Sequence, residues 1–189
     1  MKKFWIILLF LLCVCTAEAL PSRYDLRDDG RITSVKNQGI PGPCWAFACV
    51  AAMESNSLTQ NLNANSKMPD LSEMHLAVFC FKNPIQEYNF TSEKKSGILS
   101  NYGNAFRAVA LLSRLAGPVN ESSLRYNNNM KYSDKKNLLK KLPEDFKRSL
   151  RLRDAYFLGG DIDPGVSVRK DLIMKHGAIV VNMYSDPDK

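Results

Sequence analysis

The sequence lacks the features that would indicate a membrane, fibrous or repeat protein. It has no internal repeat, no low-complexity linker and no apolar run of the ~20 residues that a membrane-spanning helix needs. Its hydrophobic content of 45% and charged content of 24% are ordinary for a globular protein. The 189 residues therefore predict one sizeable domain or two small lobes. Histidine is scarce, and only His75 and His176 are available for acid–base chemistry near neutral pH.

The first nineteen residues have the pattern of a secretory signal peptide. Lys2 and Lys3 precede a 12-residue apolar stretch from Phe4 to Cys15, and Ala17-Glu18-Ala19 is a small-x-small cleavage site. We therefore expect residues 1–19 to be removed and residues 20–189 to be secreted, periplasmic or at the cell surface. No transmembrane segment is predicted after that cleavage.

Three cysteines remain after the predicted cleavage, namely Cys44, Cys49 and Cys80. Cys49 lies five residues after Cys44, about 140° around a helix, so its side chain is expected to point into the core. Cys80 stands in an apolar run as well. Two alternatives follow: Cys49 and Cys80 pair in an oxidising compartment, or both are inert buried thiols.

The net charge of +7 comes largely from one segment, Lys131–Arg153, which holds nine basic and three acidic residues. Such a segment can contact an anionic surface such as a membrane or a polysaccharide. A solvated helix face is the simpler interpretation, and we favour it. No interleaving of aromatic and basic residues suggests single-stranded nucleic acid, so no nucleic-acid partner is predicted.

Caps and apolar spacing predict helices in the first half of the chain and strands later. The predicted helices run from Cys44 to about Gln60, over 74–79 after the capping-box pattern Asp70-Leu71-Ser72-Glu73, over 105–115 behind the cap Asn104, around 136–142, and from Asp163-Pro164 to Gly177. The segments 154–158 and 178–184 are predicted strands. This order indicates an α+β fold, with a helical lobe followed by the start of a sheet-rich lobe.

The most informative run is Lys36-Asn37-Gln38-Gly39-Ile40-Pro41-Gly42-Pro43-Cys44-Trp45-Ala46-Phe47-Ala48. Cys44 opens a predicted helix, where unpaired backbone N–H groups and the positive end of the helix dipole favour the thiolate form of a cysteine. The thiolate is the nucleophilic form, so this position predicts an activated nucleophile. Gln38 supplies an amide donor six residues before it.

Two segments, Val35-Lys36-Asn37-Gln38-Gly39 and Gly42-Pro43-Cys44-Trp45-Ala46-Phe47, closely resemble the mature N-terminus of the papain-like cysteine peptidases. The same resemblance extends to Leu20-Pro21-Ser22-Arg23-Tyr24-Asp25-Leu26-Arg27 and Leu71-Ser72-Glu73, and more weakly to 102–104, 117–119, 154–158 and 175–184. The spacing looks most like bacterial secreted members without an N-terminal propeptide. The resemblance implies a two-lobe fold, with the helical left lobe complete over about 20–117 and the sheet-rich right lobe truncated over about 118–189.

The resemblance also implies roles for individual residues. Cys44 would attack the scissile carbonyl of a peptide or protein substrate, and the Gln38 side chain with the Cys44 backbone N–H would hold the oxyanion. Trp45 would pack behind the nucleophile, and Gly103 and Asn104 would line the substrate cleft. No cofactor and no metal are implied. Pro41 stands where the family usually has a half-cystine, so Cys80 would have only Cys49 as a partner.

The acid–base partner that this resemblance implies is missing. His176 falls 132 residues after Cys44, within the family's range, but it is expected in the last turn of a helix, where the helix dipole favours a cation. We therefore do not assign His176 as the base. His75 is expected at the surface or between the lobes, and Asn182 lacks the family's context. The chain is thus predicted to stop before the catalytic His and Asn.

Three hypotheses follow for the function. The first is a cysteine endopeptidase that forms a Cys44 thioester, represented by an N-terminal portion of its catalytic domain. The alternative is a catalytically inactive papain-like module that binds a peptide or a cell-surface partner. The third is an amidase or transglutaminase-type thiol enzyme, which only product analysis would separate from the first.

Overall fold

The computed structural model describes residues 20–39, 43–62, 68–80, 103–127, 129, 137, 146–158 and 165–182. Within this part of the chain there are four helices: α1 (Cys44–Thr59), α2 (Glu73–Phe79), α3 (Ala105–Ser113) and α4 (Gly165–His176). The predicted signal peptide lies outside the described residues, as do the predicted helix around 136–142 (apart from residue 137) and most of the basic segment 131–153. The lobe boundaries predicted from the sequence stay predictions.

Helix α1 is the central element, because α2, α3 and α4 all pack against it. It follows Pro43 and ends at Thr59 with Gln60 as its C-cap, close to the predicted end. Its first half buries apolar side chains, among them Trp45, Ala46 and Val50. Its second half buries polar side chains, which therefore need partners from other elements.

Helix α2 is enclosed by the rest of the fold, and every one of its residues is buried. Its N-cap is Ser72, whose hydroxyl accepts a hydrogen bond of 3.0 Å from the backbone N–H of His75. The predicted capping box is therefore wrong in one detail. Asp70 does not cap the helix, because its carboxylate is engaged by Lys36 at 2.9 Å.

Helices α3 and α4 show how local signals set helix ends. The Asn104 side chain accepts a hydrogen bond of 3.1 Å from the backbone N–H of Arg107, so the predicted cap of α3 is confirmed. Helix α3 ends two residues earlier than predicted, and Leu115 has a positive φ of 62°. Gly177 ends α4 as predicted, with a φ of 90° that favours glycine.

The carboxyl end of α4 is fixed to α1. A Cβ atom at Gly177 would lie 2.7 Å from Ser55 Oγ, so only glycine permits this approach. The same Ser55 hydroxyl accepts a hydrogen bond of 2.9 Å from the backbone N–H of Ala178 and donates to the carbonyl of Arg31. Helix α4 has no buried residue of its own. Its position is therefore set mainly by contacts at its C-terminus.

The predicted strands are not found in the described part of the chain. Residues 154–158 and 178–182 have no strand pairing, and the remainder of the second predicted strand lies outside the described residues. The β pairing that the described segments do contain consists of two isolated antiparallel bridges, Leu71 with Asn120 and Val119 with Arg148. The described fold is therefore helical, and the sheet of the predicted α+β fold is not observed. A strand needs a partner to satisfy its backbone, and Tyr156 is 71% exposed without one.

The hydrophobic core lies between α1, α2 and α3 and includes Leu71, Met74, Leu76, Phe79 and Val119. His75 is part of it. A surface position for His75 is wrong, because its side chain is completely buried. The other alternative, a position between the lobes, stays a prediction. Its ring packs against Phe79, with 5.1 Å between ring centroids.

Candidate active site

Cys44 is the first residue of α1 and is exposed to solvent, whereas its neighbours Trp45 and Ala46 are buried. Pro43 provides no side-chain cap, and the first turn of α1 contains no acidic residue. The positive end of the helix dipole is therefore not neutralised from within the helix, and such an environment stabilises an anion. An exposed thiol in this position is suited to attack a carbonyl carbon.

The two other described cysteines are less exposed to solvent than Cys44. Cys49 is buried in the core, as its angle around the helix predicted, and Cys80 is half-buried. Burial raises the pKa of the Cys49 thiol to about 11 and that of the Cys80 thiol to about 12. Both are free thiols with no bond between them in the structure. Their pairing in an oxidising compartment stays a prediction. Cys44 is thus the exposed thiol of the described residues.

Gln38 is held near the first turn of α1 through Tyr126. The Tyr126 hydroxyl donates a hydrogen bond of 2.7 Å to the backbone carbonyl of Gln38. The Tyr126 ring meets Phe47 edge-on, with 4.8 Å between ring centroids, and Phe47 follows Cys44 by three residues. Tyr126 was not among the residues predicted to belong to the site. No local motif marks it, because its contact with Gln38 joins residues 88 positions apart.

Trp45 packs directly against the backbone of Gly103. A Cβ atom at Gly103 would lie 2.1 Å from Cε2 of the indole, a distance that no side chain can occupy. The glycine at this position is therefore explained by its contact with Trp45. The neighbouring Asn104 side chain caps α3, as described above. Its proposed contribution to a substrate cleft stays a prediction.

Substituting Gly103 by alanine is expected to displace the Trp45 indole and to lower the free energy of unfolding by about 1–3 kcal/mol, because the added methyl group overpacks the site. Trp45 is the only tryptophan in residues 20–189, so its fluorescence emission reports the displacement directly. Gly30→Ala is the control for the fluorescence measurement: its φ of 64° strains an alanine backbone, but a Cβ atom there has nothing within 4 Å, so the Trp45 emission should not change. An unchanged Trp45 emission in Gly103→Ala would contradict the contact.

Lys36, two residues before Gln38, is the centre of a charge cluster that the sequence did not reveal. The Lys36 ammonium group contacts three carboxylates and one carbonyl: Glu54 at 3.3 Å, Asp70 at 2.9 Å, Glu73 at 2.9 Å and the oxygen of Leu71 at 3.1 Å. We call Lys36 and these four residues the Lys36 cluster. The side chains of Glu54 and Glu73 are 1% and 2% exposed. One cation thus serves two buried carboxylates and one exposed carboxylate.

The electrostatics of the Lys36 cluster follow from burial and from this imbalance of charge. Burial opposes the charge on Lys36, but hydrogen bonds to Glu73 and Asp70 outweigh it, so the pKa of Lys36 lies above its ordinary value. Burial raises the pKa of Glu73, and the hydrogen bond from Lys36 only partly offsets that effect. Burial also raises the pKa of the nearby Glu121. Removal of the lysine charge would leave the buried Glu54 and Glu73 carboxylates without the cation that they contact among the described residues.

Neither histidine lies beside Cys44. His176 is the last residue of α4, as predicted, and its backbone carbonyl accepts a hydrogen bond of 2.8 Å from the Asn56 side chain. Asn56 follows Cys44 by 12 residues, which corresponds to about 18 Å along the axis of α1. His75 is enclosed in the core against Gly117, where a Cβ atom on that glycine would clash with the imidazole ring. Asn182 is exposed near the end of the described residues.

Neither a metal site nor a membrane-spanning helix is present among the described residues. Among them, no group of three or more His, Cys, Asp or Glu side chains could hold a metal ion. None of the helices described above is both long and apolar enough to cross a membrane. The expected contacts of the segment 131–153, with an anionic surface or with solvent, stay predictions.

Comparison with known proteins identifies relatives that are cysteine proteases. The chain is 43% identical over 56 residues to a viral cathepsin of Lymantria dispar multicapsid nuclear polyhedrosis virus, 34% over 96 residues to the probable cysteine protease RD19C of Arabidopsis thaliana, and 57% over 37 residues to ananain of Ananas comosus. These matches cover 30%, 49% and 20% of this chain. They cover 15%, 24% and 11% of the relatives, so the chain spans at most about a quarter of their length.

The family itself is identified by a match to more than half of the chain. The sequence model described as "Papain family cysteine protease" matches residues 20–157. The match includes Gln38, Cys44 and all of α1, α2 and α3. The chain therefore belongs to the papain family of cysteine proteases.

Proposed function

We propose that the exported protein is a cysteine endopeptidase acting on peptide or protein substrates, with Cys44 as the nucleophile. The observation that carries this proposal is the position of Cys44, exposed at the first residue of α1 with Trp45 buried behind it. Export rests on the predicted signal peptide at residues 1–19. Gln38, Trp45, Gly103 and Asn104 keep the roles that the family resemblance implies for them.

The proposed reaction is acyl transfer through a thioester. The Cys44 thiolate adds to the carbonyl carbon of the scissile peptide bond, and the resulting oxyanion is held by the Gln38 side-chain N–H and the Cys44 backbone N–H. The C–N bond then breaks, and the leaving amine takes up a proton. Water adds to the thioester, which releases the carboxylic acid and restores the thiol.

The proton-transfer partner of Cys44 is not one of the two histidines of this chain. His176 contacts the far end of α1, and His75 is enclosed in the core. We therefore propose that the described residues supply the nucleophile and oxyanion side of the site. The alternative stays an inactive papain-like module that binds a peptide or a cell-surface partner; a papain-like site that lacks a triad member loses several orders of magnitude in kcat.

A peptide-based thiol probe tests the proposal. We expect a peptidyl epoxide to modify the purified protein at Cys44, and we expect Cys44→Ser to be unmodified. Iodoacetamide is the matched reagent, because it alkylates thiols without needing a peptide-binding cleft. At neutral pH it should modify Cys44 well before Cys49 and Cys80, whose raised pKa values leave little thiolate. All three cysteines should react once the protein is unfolded.

The two reagents separate the candidate functions. Modification by both reagents, together with hydrolysis of a fluorogenic peptide that Cys44→Ser abolishes, supports the endopeptidase. Modification by both reagents without hydrolysis supports the binding module. Reaction of Cys44 with iodoacetamide at the rate of the unfolded chain, with no reaction of the peptidyl epoxide, would contradict an activated nucleophile.

A further inference from the structure

We propose that Tyr126 is a positioning residue for the oxyanion site, acting through the hydrogen bond from its hydroxyl to the backbone carbonyl of Gln38. This inference rests on the proposed function of Gln38. Tyr126 does not touch the reacting atoms. Its role is to fix the backbone from which the Gln38 amide reaches the oxyanion.

The hydroxyl of Tyr126 is well suited to hold a carbonyl in one place. The hydrogen bond to Gln38 is short, at 2.7 Å. Burial and the negative charge of Glu73 raise the pKa of Tyr126, so the hydroxyl keeps its proton and is a donor at neutral pH. The edge-on contact with Phe47 fixes the direction of the ring.

The loop that carries Tyr126 is itself attached to the core. The backbone N–H of Tyr126 donates to the Glu121 carboxylate at 2.6 Å. The N–H of Glu121 donates to the carbonyl of Asp70 at 2.8 Å, and the Ser72 hydroxyl donates to the carbonyl of Leu124. The position of the Tyr126 hydroxyl is therefore set by the start of α2 and not by solvent.

The segment around Gln38 is anchored to the core before Gln38 and contains a local turn across it. Lys36 is held by the Lys36 cluster, and the Asn37 side chain accepts a hydrogen bond of 2.9 Å from the backbone N–H of Gly39. Tyr126 adds the contact to Gln38 itself. An oxyanion donor works only when it lies about 2.7–3.1 Å from the position of the developing charge, so small displacements of its backbone reduce catalysis.

The test uses Tyr126→Phe, which removes the hydroxyl and keeps the ring against Phe47. We expect kcat to fall about 3- to 10-fold, as for loss of one hydrogen bond, with KM changed less than about twofold. Gln38→Ala should lower kcat by about 10²–10³. In the Gln38→Ala background, Tyr126→Phe should have no further effect on kcat, because the donor that it positions is gone. Tyr24→Phe, which removes a hydroxyl bonded to Asp29, is the control.

A second measurement does not depend on turnover. The chain has three glutamines, Gln38, Gln60 and Gln86, so selective 15N-glutamine labelling gives three side-chain amide signals, and Gln38→Ala assigns one. Tyr126→Phe should shift and broaden the Gln38 signals. The Gln60 signals should stay unchanged, since that side chain donates to the carbonyl of Lys175.

The outcomes distinguish this inference from the proposed function. Unchanged Gln38 signals in Tyr126→Phe, or an equal loss of kcat with and without Gln38, would overturn the positioning role. Perturbed Gln38 signals in a protein that hydrolyses no peptide would support the positioning contact and overturn only the endopeptidase. A melting temperature of Tyr126→Phe close to that of the native protein confirms that the fold is retained.

Discussion

Replacing Lys36 by methionine is expected to lower the free energy of unfolding by about 3–5 kcal/mol. Methionine keeps most of the side-chain volume and removes the charge. The Glu54 and Glu73 carboxylates, which are almost completely buried, then lose the ammonium that compensates them. Equilibrium unfolding in urea measures the effect.

The loss of stability in Lys36→Met should become smaller at lower pH. In Lys36→Met the buried carboxylates repel one another, and protonation of Glu73 in the folded state relieves that repulsion. The pKa of Glu73 is already raised by burial. The free energy of unfolding of Lys36→Met should therefore lie furthest below that of the native protein at neutral pH. The difference should shrink as the pH falls.

Lys175→Met is the matched control for Lys36→Met. Lys175 also forms an ion pair, with Asp171 at 2.9 Å, but its side chain is 64% exposed on α4. Exposed pairs of this spacing contribute about 0.3–0.5 kcal/mol. Equal losses in the two variants would contradict the view that burial makes the Lys36 cluster a major contributor to stability.

Local signals were sufficient to predict several elements of the fold. The Cys44–Thr59 helix, the Asn104 cap and the end of α4 at Gly177 all depend on residues within one helical turn of the boundary. Such features can be predicted from the neighbouring sequence, because a capping side chain or a residue with positive φ acts on the backbone within one helical turn. The position of Cys44 at the start of α1 was predictable for the same reason.

Features that depend on distant residues were not predictable. The sequence around Asp70 fits a capping box, but Lys36, 34 positions away, takes that carboxylate and Ser72 becomes the cap. Tyr156 and Val181 have strand-like neighbours in sequence, yet the described residues offer no strand to pair with them. The Tyr126 contact with Gln38 likewise exists only in the folded chain.

The candidate active site and the Lys36 cluster share one segment of the chain, which contains Lys36 and Gln38. Lys36 joins this segment to α1 and to the start of α2, while Gln38 is joined through Tyr126 to the loop after Asn120. The proposed oxyanion donor, Gln38, is therefore anchored itself and follows the anchored Lys36 by two residues. This arrangement explains how a chain segment outside any helix can present an amide in a fixed place.

Acidification from about pH 6.5 to pH 4 is expected to destabilise the native protein, relative to His75→Leu, by about 3 kcal/mol. Burial lowers the pKa of His75 to about 4, and no charged group contributes to the shift. The unfolded chain binds a proton at His75 near pH 6.5 and the folded chain does not. Stability is therefore lost as the pH falls through this window, and the loss levels off below the folded pKa.

The comparison with His75→Leu isolates the histidine from other titrating groups. Glu73 and Glu121 have raised pKa values and act in the opposite direction, but they are present in both proteins. Among the described residues neither ring nitrogen of His75 has a hydrogen-bond partner, so at pH 7.5 the leucine variant should be at least as stable as the native protein. Phe79→Leu loosens the same core without removing a proton site, and its stability should run parallel to that of the native protein from pH 6.5 to pH 4. If the stability of His75→Leu also runs parallel to that of the native protein from pH 6.5 to pH 4, the folded protein binds the proton as readily as the unfolded chain. The imidazole is then not enclosed, and the prediction is wrong.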